Sequence, residues 1–261
     1  MLRAFSDLKS LSLGAIDGDI GTVKDAYFDD RHWTLRYLVA TTGSWLSGRT
    51  VLLVPQAIRG VDWEHQRVDV DLTREQIRDA PGIELDKPVS RQQEASYFDY
   101  LGYPYYWSGP MWDGGLGASG SAEIAAAQLA QRAEAQARTE RDEDQGDPHL
   151  RSADEVHGYT IEAQDGEIGS VKDFLFEETN WSLRYFVLDT RRWLPGRKVL
   201  ISTDWIERVS WEKRAVEVTM LRDEVRASPD YDPSDLKPEH EESLHRHYGR
   251  ESNRFTRVQI R

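Results

Sequence analysis

Residues 17–25 read Asp17-Gly18-Asp19-Ile20-Gly21-Thr22-Val23-Lys24-Asp25, and residues 165–173 read Asp165-Gly166-Glu167-Ile168-Gly169-Ser170-Val171-Lys172-Asp173. The two stretches lie 148 positions apart, and the same shift places residues 33–37 on 181–185 without a gap. Of the 65 positions from 17 to 81, 29 are identical to their counterparts. Because such self-similarity is typical of a repeated structural unit, we predict that the chain consists of two copies of one domain.

Each copy contains short runs rich in β-branched and aromatic residues, separated by turn residues every eight to twelve positions, which is typical of an all-β fold. The dipeptides Asp17-Gly18 and Asp165-Gly166 are hairpin turns by composition. We therefore predict a mainly β protein with two small antiparallel β-barrels in tandem. We predict the first barrel at residues 1–82 and its helical tail at 83–102. A linker with an Ala-rich helix follows at 103–148. The second barrel is predicted at 149–229 and its helical tail at 230–261.

The composition excludes several classes of function. The chain has 33 Lys and Arg against 46 Asp and Glu, and this net charge of −13 repels a phosphate backbone and disfavours nucleic-acid binding. The absence of cysteine excludes disulfides, thiol catalysis and Cys-ligated metals. The longest mostly apolar run has eight residues, and no stretch resembles a signal peptide or a transmembrane helix. We expect a protein of the cytoplasm or of the membrane periphery.

The repeated motifs resemble a known family. The pattern Asp-Gly-x-Ile-Gly-x-Val-Lys-Asp, followed by Trp-x-Leu-Arg-Tyr and by Trp-Leu-x-Gly-Arg, is similar to PRC-barrel domains, which occur in the photosynthetic reaction centre H subunit and in the ribosome maturation factor RimM. The resemblance implies two PRC-type barrels in a tandem protein that docks on a larger assembly without catalysing a reaction. The membrane helix of the H subunit and the other domain of RimM have no counterpart here.

Two sets of aromatic residues are candidates for contact with a partner. Trp45 stands near Arg49 and Trp193 near Arg197, in loops between predicted strands, and Trp beside Arg is the composition of a binding hot spot. The alternative is local packing of these side chains. The linker adds a second set, which either forms an exposed interaction surface or folds back over a barrel: Tyr103, Tyr105, Tyr106, Trp107 and Trp112.

Catalytic and metal-binding motifs are not found in the sequence. Asp17, Asp19, Asp25, Asp29 and Asp30 do not follow the EF-hand spacing, so we interpret them as structural carboxylates. A second group, for which we favour a solvated helix face over a metal site, consists of His240, Glu241, His245 and His247. We predict no catalytic residue, no metal and no cofactor.

The predicted function is that of an adaptor or scaffold that binds a protein partner or docks on a larger complex. One alternative is an enzyme or small-molecule binder with a polar pocket between the barrels, for which Trp205, Asp204 and His157 would be candidates. A second alternative is a RimM-like role in ribosome assembly, which would need a basic patch on one barrel.

Overall fold

The computed structural model describes residues 1–80, 91–103, 149–190, 197–210, 212–233 and 238–249. These residues form a mainly β structure with two seven-stranded sheets and a few short helices. The mainly β fold class that the sequence predicts is confirmed. The predicted Ala-rich helix of the linker lies outside the described residues.

The strands of the two sheets follow the same course. In chain order they are β1 Leu2–Ala4, β2 Ser12–Ala15, β3 Gly18–Asp29, β4 Thr34–Thr42, β5 Thr50–Leu53, β6 Ile58–Asp62, β7 Arg67–Val70, β8 Leu150–Ser152, β9 Thr160–Ala163, β10 Gly166–Glu177, β11 Leu183–Asp189, β12 Lys198–Ser202, β13 Ile206–Ser210 and β14 Ala215–Val218. The main path of the first sheet is β5-β4-β3-β2-β7-β6, and that of the second is β12-β11-β10-β9-β14-β13. Strands β9 and β10 begin 148 positions after β2 and β3.

The strand pairing differs from the closed antiparallel barrels that we predicted. Strand β2 runs parallel to β7, and β9 runs parallel to β14, so both sheets are mixed. Among the described strands the main paths are open, with β5 and β6 at the two ends of the first. The physical reason is the turn Pro55–Ala57 between β5 and β6, where the chain leaves one end of the sheet and returns through the β6–β7 hairpin beside β2. Thr203–Trp205 forms the same turn in the second sheet.

Close backbone packing explains one repeated glycine. A Cβ atom on Gly21 would lie 2.0 Å from the Thr41 carbonyl oxygen, and one on Gly169 would lie 2.4 Å from that of Asp189. No side chain fits at such distances, so only glycine allows β3 and β10 to approach their neighbours here.

Besides three short 3-10 turns, the described structure contains six α-helices: α1 Phe5–Leu8, α2 Arg74–Asp79, α3 Arg91–Leu101, α4 Ala153–Val156, α5 Arg222–Arg226 and α6 Pro238–His247. Helix α2 begins with a capping box, in which Thr73 and Gln76 each bond the other's backbone nitrogen. Gly102 and Gly249 follow α3 and α6 with φ values of 72° and 62°, as expected of glycines that end helices. Among the described residues, no helix has the length and apolar character needed to cross a membrane.

The chain divides into two compact units. Unit 1 comprises Met1–Leu8, Asp30–Leu35 and Arg151–Arg261, and unit 2 comprises Lys9–Asp29 and Arg36–Leu150. These units follow packing, whereas the predicted domain boundaries follow the repeat along the sequence. The predicted boundaries of the repeats therefore stay a prediction.

Unit 1 takes its first strand from the N-terminal segment. Strand β1 pairs antiparallel with β10, with Leu2 opposite Glu177 and Ala4 opposite Leu175. Leu2, Phe5 and Leu8 are buried, and the ring of Phe5 meets that of Phe174 edge to face at 6.5 Å. Burial of three large apolar side chains stabilises this association by several kcal/mol in order of magnitude. The side chains of Leu2, Phe5 and Leu8 are therefore part of the core of unit 1.

A candidate partner-binding surface on unit 2

Trp45 is held in a fixed orientation at the surface of unit 2. It lies in the short 3-10 turn Ser44–Leu46 between β4 and β5 and is half-buried. Its indole nitrogen donates a hydrogen bond of 2.6 Å to the carbonyl oxygen of Ile20. Because the polar end of the side chain is bonded to the backbone, the ring presents a rigid apolar face.

The guanidinium of Arg74 stacks on this ring. Its Cζ atom lies 4.3 Å from the centroid of Trp45, a geometry that favours a cation–π interaction of about 0.5–1 kcal/mol. Arg74 opens helix α2, and its backbone nitrogen donates a 2.8 Å hydrogen bond to Asp17 Oδ1 in the β2–β3 turn. The Asp-Gly turn and the helix start thus place the arginine over the tryptophan.

Sequence reasoning missed Arg74. The signal that could have found it is its recurrence 148 positions later as Arg222, whose backbone nitrogen bonds Asp165 Oδ1, also at 2.8 Å. The described residues place no carboxylate within ion-pair distance of Arg74, and its buried Nε atom has no hydrogen-bond partner among them. In the part of the chain that the structure describes, the guanidinium that stacks on Trp45 therefore forms no ion pair.

An exposed apolar side chain stands in the β2–β3 turn that binds the backbone of Arg74. Ile16, 57 % exposed, precedes the Asp17 that binds the backbone of Arg74, and its own nitrogen bonds the carbonyl of Leu72. We name the surface formed by Ile16, Trp45 and Arg74 the Trp45 patch. It combines a large apolar face, an exposed aliphatic side chain and one cation, which is the composition of a protein-binding hot spot.

The two predicted arginines brace the ends of short helices. Arg49 is exposed, and its Nη1 atom lies 3.5 Å from the carbonyl oxygen of Arg78 at the end of α2. Arg197 donates to the carbonyls of Arg226 and Ser228 at 2.9 and 2.7 Å and forms an ion pair with Asp230. Both arginines therefore bind carbonyl groups that a helix C-terminus leaves without internal donors.

The remaining predicted contact residues lie mostly outside the described part of the chain: Tyr105, Tyr106, Trp107, Trp112 and Trp193. Tyr103 is described and half-buried, directly after helix α3, where its nitrogen bonds the carbonyl of Phe98. Burial raises the pKa of its hydroxyl, and the nearby charge of Asp71 adds to this. The structure thus brings Trp45 and Arg74 together, and it leaves the role of the linker aromatics a prediction.

Three of the five carboxylates considered for a cation form ion pairs with arginines of the protein itself, and Asp17 and Asp25 accept hydrogen bonds from backbone nitrogens. Within the described ranges, no group of three or more His, Cys, Asp or Glu side chains could hold a metal ion. The pairs are Asp19 with Arg67 at 2.9 Å, Asp29 with Arg36 at 3.0 Å and Asp30 with Arg151 at 2.6 Å. Arg36 and Asp29 are both buried in unit 2. Their ion pair compensates two charges that would each be costly to bury alone.

The prediction of a solvated histidine face is wrong for His245. This side chain is only 4 % exposed, because helix α6 packs it against Tyr185 and Trp205 of unit 1. His247 on the same helix is exposed, with its Nε2 atom 2.9 Å from the carbonyl oxygen of Glu224. Trp205, a candidate for the alternative pocket, is buried in the core of unit 1.

Comparison with known protein families identifies one part of the chain. Residues 149–225 match the PRC-barrel domain family. The matched PRC-barrel domain contains strands β8 to β14 and Arg197, whereas Trp45 and Arg74 precede it. No curated protein matched the chain.

Proposed function

We propose that this protein is a non-catalytic adaptor that binds a protein partner through the Trp45 patch of unit 2. The proposal includes a second PRC-type module in the N-terminal half, related to the matched domain by duplication. It is supported by the shared strand order of the two sheets, by the starts of β2 and β3 at 148 positions before β9 and β10, and by the 29 identities.

The observation that carries the proposal is the Arg74 guanidinium stacked on Trp45 without a carboxylate at ion-pair distance in the described residues. Although the chain has a net charge of −13, none of the described carboxylates forms an ion pair with Arg74. A partner carboxylate would gain a charge-assisted hydrogen bond here, which is stronger than a neutral one.

The proposal also includes a kind of partner, which the geometry supports. The half-buried ring of Trp45 and the exposed side chain of Ile16, in the turn that binds the backbone of Arg74, offer apolar contact area. A fitting segment therefore carries an apolar side chain close to an Asp or Glu. Since the indole is already bonded to Ile20, little side-chain entropy is lost when the partner binds.

The experiment compares full-length baits that differ at one residue. The wild-type chain captures partners from a lysate, the most abundant partner is purified, and its dissociation constant is measured for each variant. We expect Trp45→Ala and Arg74→Glu each to weaken binding at least tenfold, as hot-spot residues do. Arg59→Glu is the matched control, because Arg59 is also exposed on unit 2 and makes only a loose 3.9 Å contact with Asp69.

Two readouts keep the interpretation clear. Circular dichroism and thermal unfolding of each variant establish that the fold is intact, so that a loss of binding reports on the patch. If the partner binds Trp45→Ala and Arg74→Glu as tightly as the wild type, the Trp45 patch is not its site. The linker aromatics would then be the next surface to test.

A further inference from the structure

A short symmetric contact lies inside unit 1. Thr34 and Ser182 face each other in an antiparallel bridge. On one side the nitrogen of Leu35 donates to the carbonyl of Trp181 at 2.9 Å, and on the other the nitrogen of Leu183 donates to that of Trp33 at 2.6 Å. We name this contact, with the ion pairs described next, the seam; all of its residues belong to unit 1.

Two ion pairs extend the seam. Arg3 lies 3.6 Å from Glu178, and Arg151 lies 2.6 Å from Asp30. Residues 3 and 151 differ by 148 in number, and so do residues 30 and 178. Adding 148 to the number of Arg3 and subtracting 148 from that of Glu178 gives the positions of Arg151 and Asp30. Each ion pair is therefore the equivalent of the other with the two halves of the chain exchanged.

The same exchange leaves the backbone contact unchanged. Thr34 and Ser182 exchange places, and the Leu35–Trp181 bond becomes the Leu183–Trp33 bond. Trp33 and Trp181 also share an uncommon backbone conformation, with φ values of 51° and 59°. Every seam contact thus has a counterpart with the two partners reversed.

This pattern is that of an isologous interface, in which a surface contacts a second copy of itself across a two-fold axis, although here the two surfaces are similar stretches of one chain. We propose that the seam is a homotypic interface that also joins two copies of this chain. In the joined form, residues 1–8 and 30–35 of one copy bind the Arg151–Arg261 part of the other, and the reverse contact closes a two-fold dimer. The occupant of the surface is a second copy of the same protein.

The contacts of the exchanged form would be those of the unexchanged one. The same two backbone hydrogen bonds, the same two ion pairs and the edge-to-face contact of Trp33 with Phe186 at 5.4 Å are made in either case. The exchange therefore costs mainly the entropy of association, which high protein concentration offsets. Because Phe5 and Leu8 must leave a buried site, we expect exchange during refolding rather than in the folded protein at rest.

The absence of cysteine from the chain allows a clean test with full-length protein. Thr34 and Ser182 form a non-hydrogen-bonded pair, since the flanking bonds involve their neighbours. In such pairs the Cα atoms lie about 4.5 Å apart, which suits a disulfide. The variants are Thr34→Cys, Ser182→Cys, the double variant, and Ser44→Cys as an exposed hydroxyl residue outside the seam.

Thr34→Cys and Ser182→Cys chains that carry tags of different size are refolded together at high concentration and oxidised. We expect a disulfide-linked dimer of one chain of each kind, several-fold more abundant than any dimer of Ser44→Cys refolded with either variant. The double variant should form an internal disulfide at low concentration and linked dimers at high concentration. Mixed dimers no more abundant than the control overturn the proposal, as does failure of the double variant to form any disulfide.

Discussion

The tail helices of the two units bind equivalent tyrosines through different side chains. In unit 2, Tyr37 donates a 2.7 Å hydrogen bond to Glu94 on α3, and its ring meets that of Phe98 at 6.4 Å. In unit 1, the hydroxyl of Tyr185 lies 3.1 Å from Nε2 of His245 on α6. A shift of 147 positions places Phe98 on His245, and a shift of 148 places Tyr37 on Tyr185.

The difference shows how one scaffold redistributes aromatic volume. Unit 2 carries Tyr97 and Phe98 on its helix, where unit 1 has Leu244 and His245. Unit 1 has Trp205 on the sheet side, packed against His245 at 5.4 Å, where the 148-residue shift gives Ala57 in unit 2. Close packing requires the total volume to be conserved, but leaves open which side supplies it. The polar contact of each tyrosine then follows from the helix residue that faces it.

The largest effect should come from breaking the apolar contact of unit 2. Phe98 is fully buried, so Phe98→Ala leaves a cavity and should lower the free energy of unfolding by about 3–5 kcal/mol. Denaturant unfolding monitored by tryptophan fluorescence measures this. Tyr100→Ala on the same helix is the control, because Tyr100 is 42 % exposed and should cost less than about 1.5 kcal/mol. Equal costs for the two variants would contradict the proposed role of Phe98.

A smaller difference should separate the two hydroxyl contacts. Tyr37→Phe removes the donor to a fully buried Glu94 carboxyl, which should cost about 2 kcal/mol. Tyr185→Phe removes the longer contact between the Tyr185 hydroxyl and the imidazole nitrogen of His245. This should lower the free energy of unfolding by about 1 kcal/mol. Hydrogen exchange read out separately on α3 and α6 assigns each loss to its unit. A greater loss for Tyr185→Phe would reverse the comparison.

The sequence predicted the local features of both units well. The Asp-Gly dipeptides placed the hairpin turns at Gly18 and Gly166, and the short runs of β-branched and aromatic residues predicted the mainly β fold. These features depend on residues within a few positions of one another. For the same reason, the position of Trp45 in a loop between two strands could be predicted.

Features that depend on distant residues were not predicted. The parallel pairing of β2 with β7 and the binding of residues 1–8 to β10 join segments far apart in the chain, and periodicity within a strand does not specify its neighbour. Arg74 was missed because only the folded turn at Asp17 places it over Trp45. His245 appeared solvated because its helix is mostly polar, although Tyr185 and Trp205 bury it.

Alkaline pH sharpens the comparison, because each unit buries a tyrosine that the other lacks. Burial, with smaller contributions from Asp173, Asp7 and Asp232, raises the pKa of Tyr231 in unit 1 to about 12. Burial raises the pKa of Tyr97 in unit 2 far above its ordinary value, and its hydroxyl bonds the carbonyl of Leu52. Both phenols therefore hold their protons more tightly in the folded chain than in the unfolded one.

The sign of the pH dependence follows from these shifts. The stability that each tyrosine contributes is fully present below pH 10, the ordinary pKa, and for Tyr231 is lost as the pH rises from 10 to about 12. Between these pH values the wild type should lose more unfolding free energy than Tyr231→Phe does. We expect a difference of about 1 kcal/mol, after allowance for the partial exposure of Tyr231. Tyrosinate absorbance checks the assignment: one tyrosine should titrate near pH 12 in the wild type and be missing in the variant. An unchanged titration curve would contradict it.

The smallest effect should come from giving the tail helix of unit 1 the residue that faces the tyrosine in unit 2. His245→Phe gives α6 the residue that α3 carries at this position, and it exchanges a contact with the Tyr185 hydroxyl for additional apolar burial against Trp205. The loss and the gain are each about 1 kcal/mol, so we expect the free energy of unfolding to change by less than about 1 kcal/mol. His245→Ala, which removes the volume as well, should cost at least about 2 kcal/mol and serves as the control. If His245→Phe is as damaging as His245→Ala, then the imidazole is needed for its polar atoms, and conserved volume does not explain how the two tail helices came to differ.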